Sequence, residues 1–584
     1  QGNKSNNNYS TMINITTFGK TLAFSLLFLG IATTGSAAQK KVPAATFTNF
    51  TYTGEDDIYA KNPLKPNEFY SPILQGCYPD PSICRKGDDY YLVNSSFAMF
   101  PGVPIFHSTD LINWVQIGNV LDRTSQLDPT TCGISAGIYA PAIHYNKYND
   151  TFYMITTEFC APCGGNMVVK TKDPRQGWSD PFNLHFGGID PSLFFDDNGK
   201  AYLVHNDAPE KPLYGPNHRC IKIWEYDLEK DQIIPGTDKV IVNGGTDIEK
   251  KPVWIEGPHI YKKNGTYYLM CAEGGTGDWH SEVIFKADNI YGPYEPWNNN
   301  PILTQRHFLH NADKLADWAG HADLVEGKDG KYYGVFLGIR PNSKGNVNTG
   351  RETFMLPVDW SGTWPVFENG LVPLSIKQKM PKGVENKTGK DGFFPNGNFT
   401  YSEDFKSENI DYRWVAMRGP KENFIKIAKE GGLQMTALDA NITEVQPISA
   451  LFHRQQHIKY TAQTTLSYNT KAAQKAGLIC YQNEACNYVL TVQTEGKEQV
   501  LVLEKTVRPQ RQKDFKTEIV AKEPIGKLKT PITLGVTTDG LNYQFSYTLN
   551  GEKKNIGGPL DAAVLSTNFA GGFTGALVGM GVFK

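Results

Sequence analysis

A short pattern of aromatic and apolar residues after a polar turn occurs five times along the chain. Each copy carries an aromatic residue, a tyrosine and two apolar residues, although the third copy has Ala for the aromatic residue and the fifth has Gly for the first apolar one. Short apolar runs bounded by turn residues predict β-strands. The copies end at Val93, Ile155, Val204, Met270 and Val335.

A second short strand precedes each copy. These strands read DPSI, APAI, DPSL, GPHI and HADL, and they end at Ile83, Ile143, Leu193, Ile260 and Leu324. The Gly, Asn, Asp and Lys residues between the paired strands predict a β-hairpin in each copy. The copies recur about every 50 to 65 residues, which is the length of one four-stranded propeller blade with its loops. We therefore predict an all-β fold with a five-bladed β-propeller in residues 39–374.

The composition changes after the fifth copy. Residues 375–398 are rich in Lys, Gly, Pro and Asn, as expected of a linker or a loop at a domain edge. Alternating apolar and polar residues then predict further strands, for example at 462–468, 488–493, 499–503 and 543–547. We predict that residues 399–584 form a β-sandwich of the lectin-like jelly-roll kind.

The first 38 residues have the layout of a secretory signal that follows a short extraneous stretch. Met12 is the expected start, Lys20 precedes an apolar run at 21–32, and small residues lead to a cleavage site after Ala38. The run is too short for a membrane span. This pattern predicts a secreted or periplasmic protein without a membrane span in its mature chain.

Charge adds little to this picture. The 58 Lys and Arg residues nearly balance the 60 Asp and Glu residues of the 584-residue chain. A net charge of −2 gives no reason to expect a nucleic acid or an anionic membrane as a partner.

Nine cysteines include the C-x-x-C pair Cys160 and Cys163. A metal or redox function for this pair would require a second ligand pair or a βαβ context, and the sequence shows neither. We expect a disulfide or structural thiols instead.

The repeat also aligns candidate catalytic residues. Three positions before the apolar end of each first strand stand Asp80, Ala140, Asp190, Gly257 and His321, and Glu256 lies one step before Gly257. Because these strands line the central channel of a propeller, three carboxylates and one His should meet at one end of it. Glycoside hydrolysis requires two carboxyl groups, and a third can raise the pKa of the acid. The alternative, that each Asp only caps a turn, does not explain three acids at matched positions.

Several motifs carry a resemblance to glycoside hydrolase family 43, in its β-xylosidase/α-L-arabinofuranosidase group. Residues 62–364 match the catalytic domain of this family throughout, and residues from 399 onward resemble its attached sandwich domain. The most specific stretches are 78–84 (YPDPSIC), 95–105, 187–195 (GGIDPSLFF), 255–259 (IEGPH), 272–276, 320–323 (GHAD), 350–353 (GRET), 477–481 and 573–579.

The resemblance implies an exo-acting, inverting glycosidase that releases terminal xylose from plant cell-wall oligosaccharides and also accepts arabinofuranose. Asp80 would be the general base, Glu256 the general acid, and Asp190 the residue that raises the pKa of Glu256 and orients it. Inversion leaves room for water between base and acid, at about 6.5–9.5 Å. The substrate-binding residues implied are Arg351, Phe97, Tyr139, Ile189 and Phe573. Ile189 departs from the family pattern, because some β-xylosidases have Phe there.

The resemblance implies no cofactor for the chemistry. It does imply that His321 approaches a structural Ca²⁺ held largely by water, although one His is weak support for a metal that prefers oxygen ligands.

Three other functions stay open at this point. An α-L-arabinofuranosidase acting on arabinoxylan or arabinan side chains is the main alternative, and an endo-acting hydrolase or lyase would keep the same fold. A carbohydrate-binding propeller without catalysis would lack an acid or a base, and all three acids are present. A nucleophile elbow at Gly133–Gly137 (G-x-S-x-G) would require a strand–turn–helix, and this stretch instead lies in a loop before a predicted strand.

Overall fold

The computed structural model describes residues 42–160, 164–246, 254–308, 315–471, 474–508 and 513–584. The predicted targeting segment, residues 1–38, and Cys163 lie outside these ranges. Nearly all regular structure is β, and the α-helices are α1 (Asp57–Lys61) and α2 (Thr567–Ala570). Neither helix has the length and apolar character that a membrane crossing requires.

Five antiparallel sheets follow one another along the chain, one for each predicted blade. They come after β1 (Ala45–Gly54) and β2 (Glu68–Tyr70). The first sheet contains β3 (Ser82–Lys86), β4 (Asp89–Val93), β6 (Gly102–Ser108) and β7 (Val115–Leu121), with the short strand β5 (Met99–Phe100) beside it, and the second contains β8 (Gly137–Asn146), β9 (Thr151–Phe159), β10 (Gly165–Thr171) and β11 (Phe182–Leu184). The third sheet contains β12 (Ile189–Phe195), β13 (Ala201–Asp207), β14 (Cys220–Asp227), β15 (Gln232–Ile233) and β16 (Lys239–Asn243), and the fourth contains β17 (Glu256–Lys263), β18 (Thr266–Glu273), β19 (Ser281–Ala287), β20 (Glu295–Pro296) and β21 (Leu303–Thr304). The fifth sheet contains β22 (Asp317–Glu326), β23 (Tyr332–Ile339), β24 (Glu352–Asp359) and β25 (Val366–Phe367).

The five predicted hairpins are confirmed. They are β3–β4, β8–β9, β12–β13, β17–β18 and β22–β23, each antiparallel. The tyrosines of the repeat are buried between sheets, and Trp114 is buried in the core beside the first sheet, where it donates to the carbonyl of Leu111 at 2.8 Å. Packing between blades, rather than ligand contact, therefore accounts for these aromatic residues.

The aligned positions share an unusual backbone conformation. Asp80, Ala140, Asp190, Gly257 and His321 all have positive φ, between 36° and 57°. In four of the five hairpins the pairing register shifts at this point. A bulge of this kind turns a side chain away from its regular strand direction. Non-glycine residues rarely occupy this region of φ, and such strain tends to occur at functional sites.

The C-terminal part is a two-sheet sandwich, as predicted. After β26 (Lys377–Lys379) its strands are β27 (Thr400–Glu403), β28 (Ala416–Met417), β29 (Ile425–Ile427), β30 (Leu433–Met435), β31 (Ala450–Arg454), β32 (Tyr460–Tyr468), β33 (Lys475–Asn483), β34 (Cys486–Glu495), β35 (Glu498–Val507), β36 (Lys516–Gly526), β37 (Ile532–Thr538), β38 (Asn542–Leu549), β39 (Glu552–Asp561) and β40 (Leu577–Phe583). One sheet has the order β29-β30-β1-β32-β37-β38-β39, with β27 on β1, and the other β31-β40-β33-β34-β35-β36. A large apolar core lies between them.

The strand β1 differs from its predicted place. Residues 39–374 were assigned to the propeller, but β1 pairs with β27, β30 and β32 of the sandwich. Its alternating pattern fills the sandwich core with Phe47, Phe50 and Tyr52. The sandwich therefore takes a strand from before the five sheets as well as the strands after them.

Residues 375–398 pack against the first sheet rather than standing free. Strand β26 pairs with β2, and Phe394 lies in an apolar cluster with Tyr78 and Phe106. Between the two halves, β28 pairs with β5, and the buried Arg454 donates to the carbonyl of Cys77 at 2.9 Å. These contacts place β28 and the end of β31 beside β5 and the segment that precedes β3.

Candidate active site

One cavity of about 1190 Å³ brings together every candidate residue named from the sequence. It lies at the strand ends where the five aligned positions of positive φ stand. Its lining includes Asp80, Asp190, Glu256, Arg351, Phe97, Tyr139, Ile189, His321 and Phe573.

Asp80 is buried and surrounded by donors. Its Oδ1 accepts a hydrogen bond from Arg351 Nη1 at 2.8 Å, and its Oδ2 accepts one from Ser95 Oγ at 2.6 Å. The same Ser95 hydroxyl accepts from the Ala140 backbone N–H at 2.7 Å, which fixes its direction. Burial raises the pKa of Asp80, but the Arg351 guanidinium, His321 and Ser95 outweigh it, so the pKa lies below its usual value. Asp80 is therefore a carboxylate at neutral pH.

Glu256 begins β17 in a different environment. Its Oε2 accepts a hydrogen bond from Trp254 Nε1 at 2.6 Å. Burial raises the pKa of Glu256 to about 7, and the negative charge of Asp80 adds to the shift, while Trp254, Arg351 and Arg219 oppose it. A carboxyl group with this pKa holds a proton over the acidic half of the pH range and can donate it.

Asp190 interacts with both Asp80 and Glu256. Its Oδ2 accepts from the Gly257 N–H at 3.2 Å, at the peptide that follows Glu256. Burial, the charge of Glu256 and the charge of Asp80 raise its pKa well above the usual value. Because like charges repel reciprocally, Asp190 and Glu256 disfavour simultaneous ionisation. Asp190 thus contacts the backbone of the candidate acid and helps to keep the pair protonated.

Arg351 is a buried residue of the cavity rather than a surface ion-pair partner. Besides Asp80, its Nη1 donates to Thr276 Oγ1 at 3.2 Å, and its Nε has no protein partner within the described residues. The next residue, Glu352, pairs with the buried Arg340 at 2.7 Å and accepts from the Gly76 N–H at 2.8 Å. The sequence GRET therefore supplies two groups: Arg351 is the cation beside Asp80, and Glu352 binds the backbone at Gly76 in the segment that leads to Asp80.

Aromatic rings form one wall of the cavity. Phe573, from the sandwich loop before β40, lies 6.4 Å from the ring of Phe97 and nearly parallel to it, and 5.9 Å from the ring of Tyr139. The Arg351 guanidinium lies 5.5 Å from the Phe573 ring centre. Phe573 is 39% exposed, so it lies at the cavity mouth rather than in the sandwich core. Ile189 also lines the cavity, and its side chain is aliphatic.

Two glycines allow the sandwich loop to reach this position. A Cβ at Gly350 would lie 2.7 Å from the Gly575 nitrogen, and one at Gly575 would lie 2.5 Å from the Thr349 carbonyl oxygen. Gly350 also has φ of +74°. In addition, the Phe573 N–H donates to Ser135 Oγ at 2.9 Å. Ser135 of the G-x-S-x-G stretch therefore holds a loop, and no helix follows it.

Four further residues of the site have no role predicted from the sequence. Ser95 and Thr276 fall within two of the motifs named above, and Trp254 and Arg219 fall in none. Trp254 stands two residues before Glu256, and this proximity was the only available signal. Arg219 comes from the loop before β14, and its approach depends on tertiary structure.

His321 lies at the base of the cavity, where its ring packs 3.0 Å from the position that a Cβ of Gly257 would occupy. Burial lowers its pKa to about 4, so the ring is neutral near pH 7 and has a lone pair for a metal. Within the described ranges, no three His, Cys, Asp or Glu side chains are grouped as metal ligands. A Ca²⁺ here would fit only with water as most of its ligands, and the Ca²⁺ stays a prediction.

A disulfide borders the cavity. Cys160 pairs with Cys132 and not within the C-x-x-C, and Cys163 lies outside the described residues. The bridge ties the loop before β8 to the end of β9, and both cysteines belong to the lining. This pairing agrees with the expectation of a disulfide rather than a metal or redox site.

Known proteins resemble this chain over most of its length. Residues 69–365 match the model of glycosyl hydrolases family 43, and residues 402–584 match the beta xylosidase C-terminal concanavalin A-like domain. A xylosidase/arabinosidase of Butyrivibrio fibrisolvens is 36% identical over 526 residues, which cover 87% of this chain and 95% of that protein. A non-reducing end alpha-L-arabinofuranosidase of Bacteroides ovatus is 33% identical over 540 residues, or 88% of this chain and 92% of that protein. A crystal structure of a GH43_12 retrieved from capybara gut metagenome is 98% identical, with a TM-score of 0.91, and the match covers 93% of this chain and 100% of that chain.

Proposed function

The chain belongs to glycosyl hydrolases family 43, and from this premise we propose that it releases terminal xylose from xylo-oligosaccharides with inversion at the anomeric carbon. It is a glycosidase, and its relatives are xylosidases and arabinosidases. The observation that carries the proposal is the contrast between Asp80 and Glu256. The pKa of one is lowered and that of the other is raised to about 7 within the same cavity.

The proposed reaction uses this contrast directly. Asp80, ionised, accepts a proton from water while the water oxygen attacks the anomeric carbon. Glu256, neutral, donates its proton to the glycosidic oxygen as the bond to the leaving group breaks. Asp190 orients the segment of Glu256 through the Gly257 N–H. Water adds across the bond, so each cleavage yields one free pentose and a shortened oligosaccharide.

Closure of the five sheets into a ring is part of the proposal. Hydrogen bonds join each sheet to the next, and the last joins the first. Asp323 of β22 accepts from Ser82 Oγ at 2.7 Å and from the Ile83 N–H at 3.0 Å, both on β3. A closed ring would hold Asp80 and Glu256 at a constant separation, as catalysis by two carboxyl groups requires.

Xylose is favoured as the sugar because the sandwich matches the domain of β-xylosidases. Phe573 from that domain narrows the cavity mouth, which favours removal of one terminal residue. The second candidate is an α-L-arabinofuranosidase, and it is supported by the name of the Bacteroides ovatus relative. The absence of an aromatic ring at Ile189 leaves that wall less suited to stacking than Phe would be.

The test is hydrolysis of aryl β-D-xyloside and aryl α-L-arabinofuranoside by the full chain, with the first-formed anomer followed by ¹H NMR. We expect turnover of both substrates, a higher kcat/KM on the xyloside and an inverted first product. A higher kcat/KM on the arabinofuranoside would establish the second candidate. A retained first product, or no turnover by folded protein, would refute the mechanism or the function.

Two remaining parts of the proposal lie outside the catalytic groups. We propose export of the protein, on the basis of residues 12–38, and a hydrated Ca²⁺ beside His321. Detection of the processed chain in the culture medium or periplasm tests the first. Elemental analysis of the protein, with thermal unfolding in EDTA and after Ca²⁺ is added back, tests the second, and unchanged unfolding with no bound calcium would contradict it.

A further inference from the structure

Trp254 is held at its polar edge and on one ring face. Its Nε1–H donates to Glu256 Oε2 at 2.6 Å, and the Arg219 guanidinium carbon lies 4.0 Å from the ring centre. Arg219 is itself anchored, because its Nη1 donates to the carbonyls of Pro216 at 2.9 Å and His218 at 3.0 Å. Trp254 and Arg219 both line the cavity. The indole is thus fixed between a cation and a catalytic carboxyl group.

The backbone at Trp254 supports this arrangement. Its φ of 39° is in the left-handed region, which large residues rarely adopt. Such conformations persist only where the surroundings impose them, and they are common at functional sites. This conformation turns the chain immediately before Glu256, so that the ring at position 254 faces the side chain two residues later.

The hydrogen bond has a consequence for the position of the proton. An indole N–H only donates, so Oε2 of Glu256 must accept in both protonation states of the carboxyl group. The carbonyl oxygen of a neutral carboxylic acid is its better acceptor. The bond therefore favours the proton on Oε1, the oxygen that Trp254 does not occupy.

We propose that Trp254 is the positioning residue of the general acid, which fixes the Glu256 carboxyl group and keeps its proton on Oε1, and that Arg219 holds Trp254 in place for this task. The inference rests on the proposed function, since it takes Glu256 as the acid. Trp254 is assigned no chemical step of its own.

Several charged or titratable groups from neighbouring elements also face Glu256. These are Asp80, Asp190, Arg219, Glu282, His321 and Arg351. They determine where the acid titrates, but they do not replace the indole N–H as a donor to Oε2. Loss of that N–H should therefore affect proton delivery in a way that these groups cannot restore.

The experiment uses leaving groups of different basicity. Trp254→Phe keeps an aromatic ring and removes the N–H. The leaving group of a 2,4-dinitrophenyl glycoside departs without receiving a proton, whereas the leaving group of a phenyl or methyl glycoside needs one. We expect kcat/KM of Trp254→Phe to fall roughly 10- to 100-fold on the poor leaving group and less than about threefold on the activated one. The basic limb of the pH profile should move to higher pH, because the lost bond stabilised the carboxylate.

Two variants make the test decisive. Trp224→Phe is the matched control, since Trp224 Nε1 donates to His205 Nε2 at 3.0 Å outside the cavity lining and its loss should leave the ratio of the two substrates unchanged. Arg219→Lys keeps the positive charge that lowers the pKa of Glu256 but loses the planar group that lies over the Trp254 ring. It should change the ratio of the two substrates in the same direction as Trp254→Phe with a smaller effect, and it decides the question if Trp254→Phe does not fold. Equal losses on both substrates, or an unmoved basic limb, would overturn the inference.

Failure of the proposed function gives a separate signal. If kcat/KM of Glu256→Gln falls by the same factor on the activated substrate and on the substrate with the poor leaving group, Glu256 is not the acid and the proposed function fails. If Glu256→Gln spares the activated substrate while Trp254→Phe resembles the wild type on both, the premise stands and only the positioning role is wrong.

Discussion

Asp80 and Glu256 occupy nearly the same position in two different blades, but their surroundings shift their pKa values in opposite directions. Both residues lie beside a backbone of positive φ, at or before the first strand of a hairpin. Asp80 is bonded to a guanidinium and a hydroxyl, whereas Glu256 is bonded to an indole N–H and, among the described residues, to no cation. The repeat therefore determines where a carboxyl group stands, and the partners outside the repeat determine whether its pKa is lowered or raised.

The other aligned positions strengthen this comparison. Ala140 and His321 share the conformation of Asp80 without carrying a carboxyl group. In the fourth blade Gly257 takes the left-handed conformation, and the carboxyl group belongs to the preceding residue, Glu256. Two groups with different tasks thus come from positions that differ by one residue, which gives Glu256 its own set of neighbours.

The largest effect expected from breaking this contrast is that of Asp80→Asn. It removes the proposed base, so kcat/KM should fall by about 10³- to 10⁴-fold on every aryl glycoside, whatever the leaving group. Glu256→Gln should lose a similar factor on poor leaving groups only. Kinetics with a series of aryl glycosides measure this, and an unchanged melting temperature serves as the folding control. Identical dependence on the leaving group in the two variants would contradict the assigned roles.

Arg351→Met should give the next largest loss, about 10²- to 10³-fold in kcat/KM, through misplacement of Asp80 and of the substrate. Arg351 lowers the pKa of Asp80, so the pKa of the base should rise without it, and the acidic limb of kcat/KM should move to higher pH. Arg351→Lys keeps a positive charge but not the planar guanidinium group. Its acidic limb should therefore stay near the wild-type pH, while its kcat/KM should still fall. An acidic limb that stays in place in Arg351→Met would show that another group titrates there.

The wild-type pH profile tests the other half of the comparison. Glu256 must be protonated to act, so kcat/KM should fall about tenfold per pH unit as the pH rises above the pKa of about 7. Replacing the neighbouring like charge, in Asp190→Asn, should move this basic limb to lower pH. If the limb stays in place while kcat/KM falls, Asp190 acts chiefly as an orienting group through Gly257.

The parts that sequence could predict are those encoded locally. A hairpin pattern repeated five times gave the blades, and aligning it placed Asp80, Asp190 and His321 in one cavity. The pairing of β1 within the sandwich could not be read in this way, because it joins residues several hundred positions apart. The same holds for Arg219 over Trp254 and for Cys132 with Cys160. Loops without a repeat bring these residues together, and their spacing in the chain has no periodicity to detect.

Ser95→Ala probes the same contrast with a smaller change. Ser95 bridges Asp80 and the Ala140 N–H, and its hydrogen bond lowers the pKa of Asp80. Its loss should lower kcat/KM roughly tenfold and move the acidic limb slightly upward, without altering the basic limb. Thermal unfolding reports whether the unpaired Ala140 N–H destabilises the fold. A shift of the basic limb would mean that the two carboxyl groups are not tuned independently.

The smallest effect should come from Phe573→Leu, which changes the sandwich's contribution to the site and neither carboxyl group. The aromatic wall with Phe97 and Tyr139 would lose one ring, while the Gly350–Gly575 contact would keep the loop in place. We expect KM for xylo-oligosaccharides to rise about three- to tenfold, with kcat and both pH limbs unchanged, because the proposed contact of this ring with bound sugar is the same in the ground state and the transition state. Measurement of kcat and KM on xylobiose decides it. A fall in kcat with a displaced limb would instead mean that Phe573, through Arg351, helps to set the ionisation of Asp80, and the sandwich would then belong to the catalytic contrast itself.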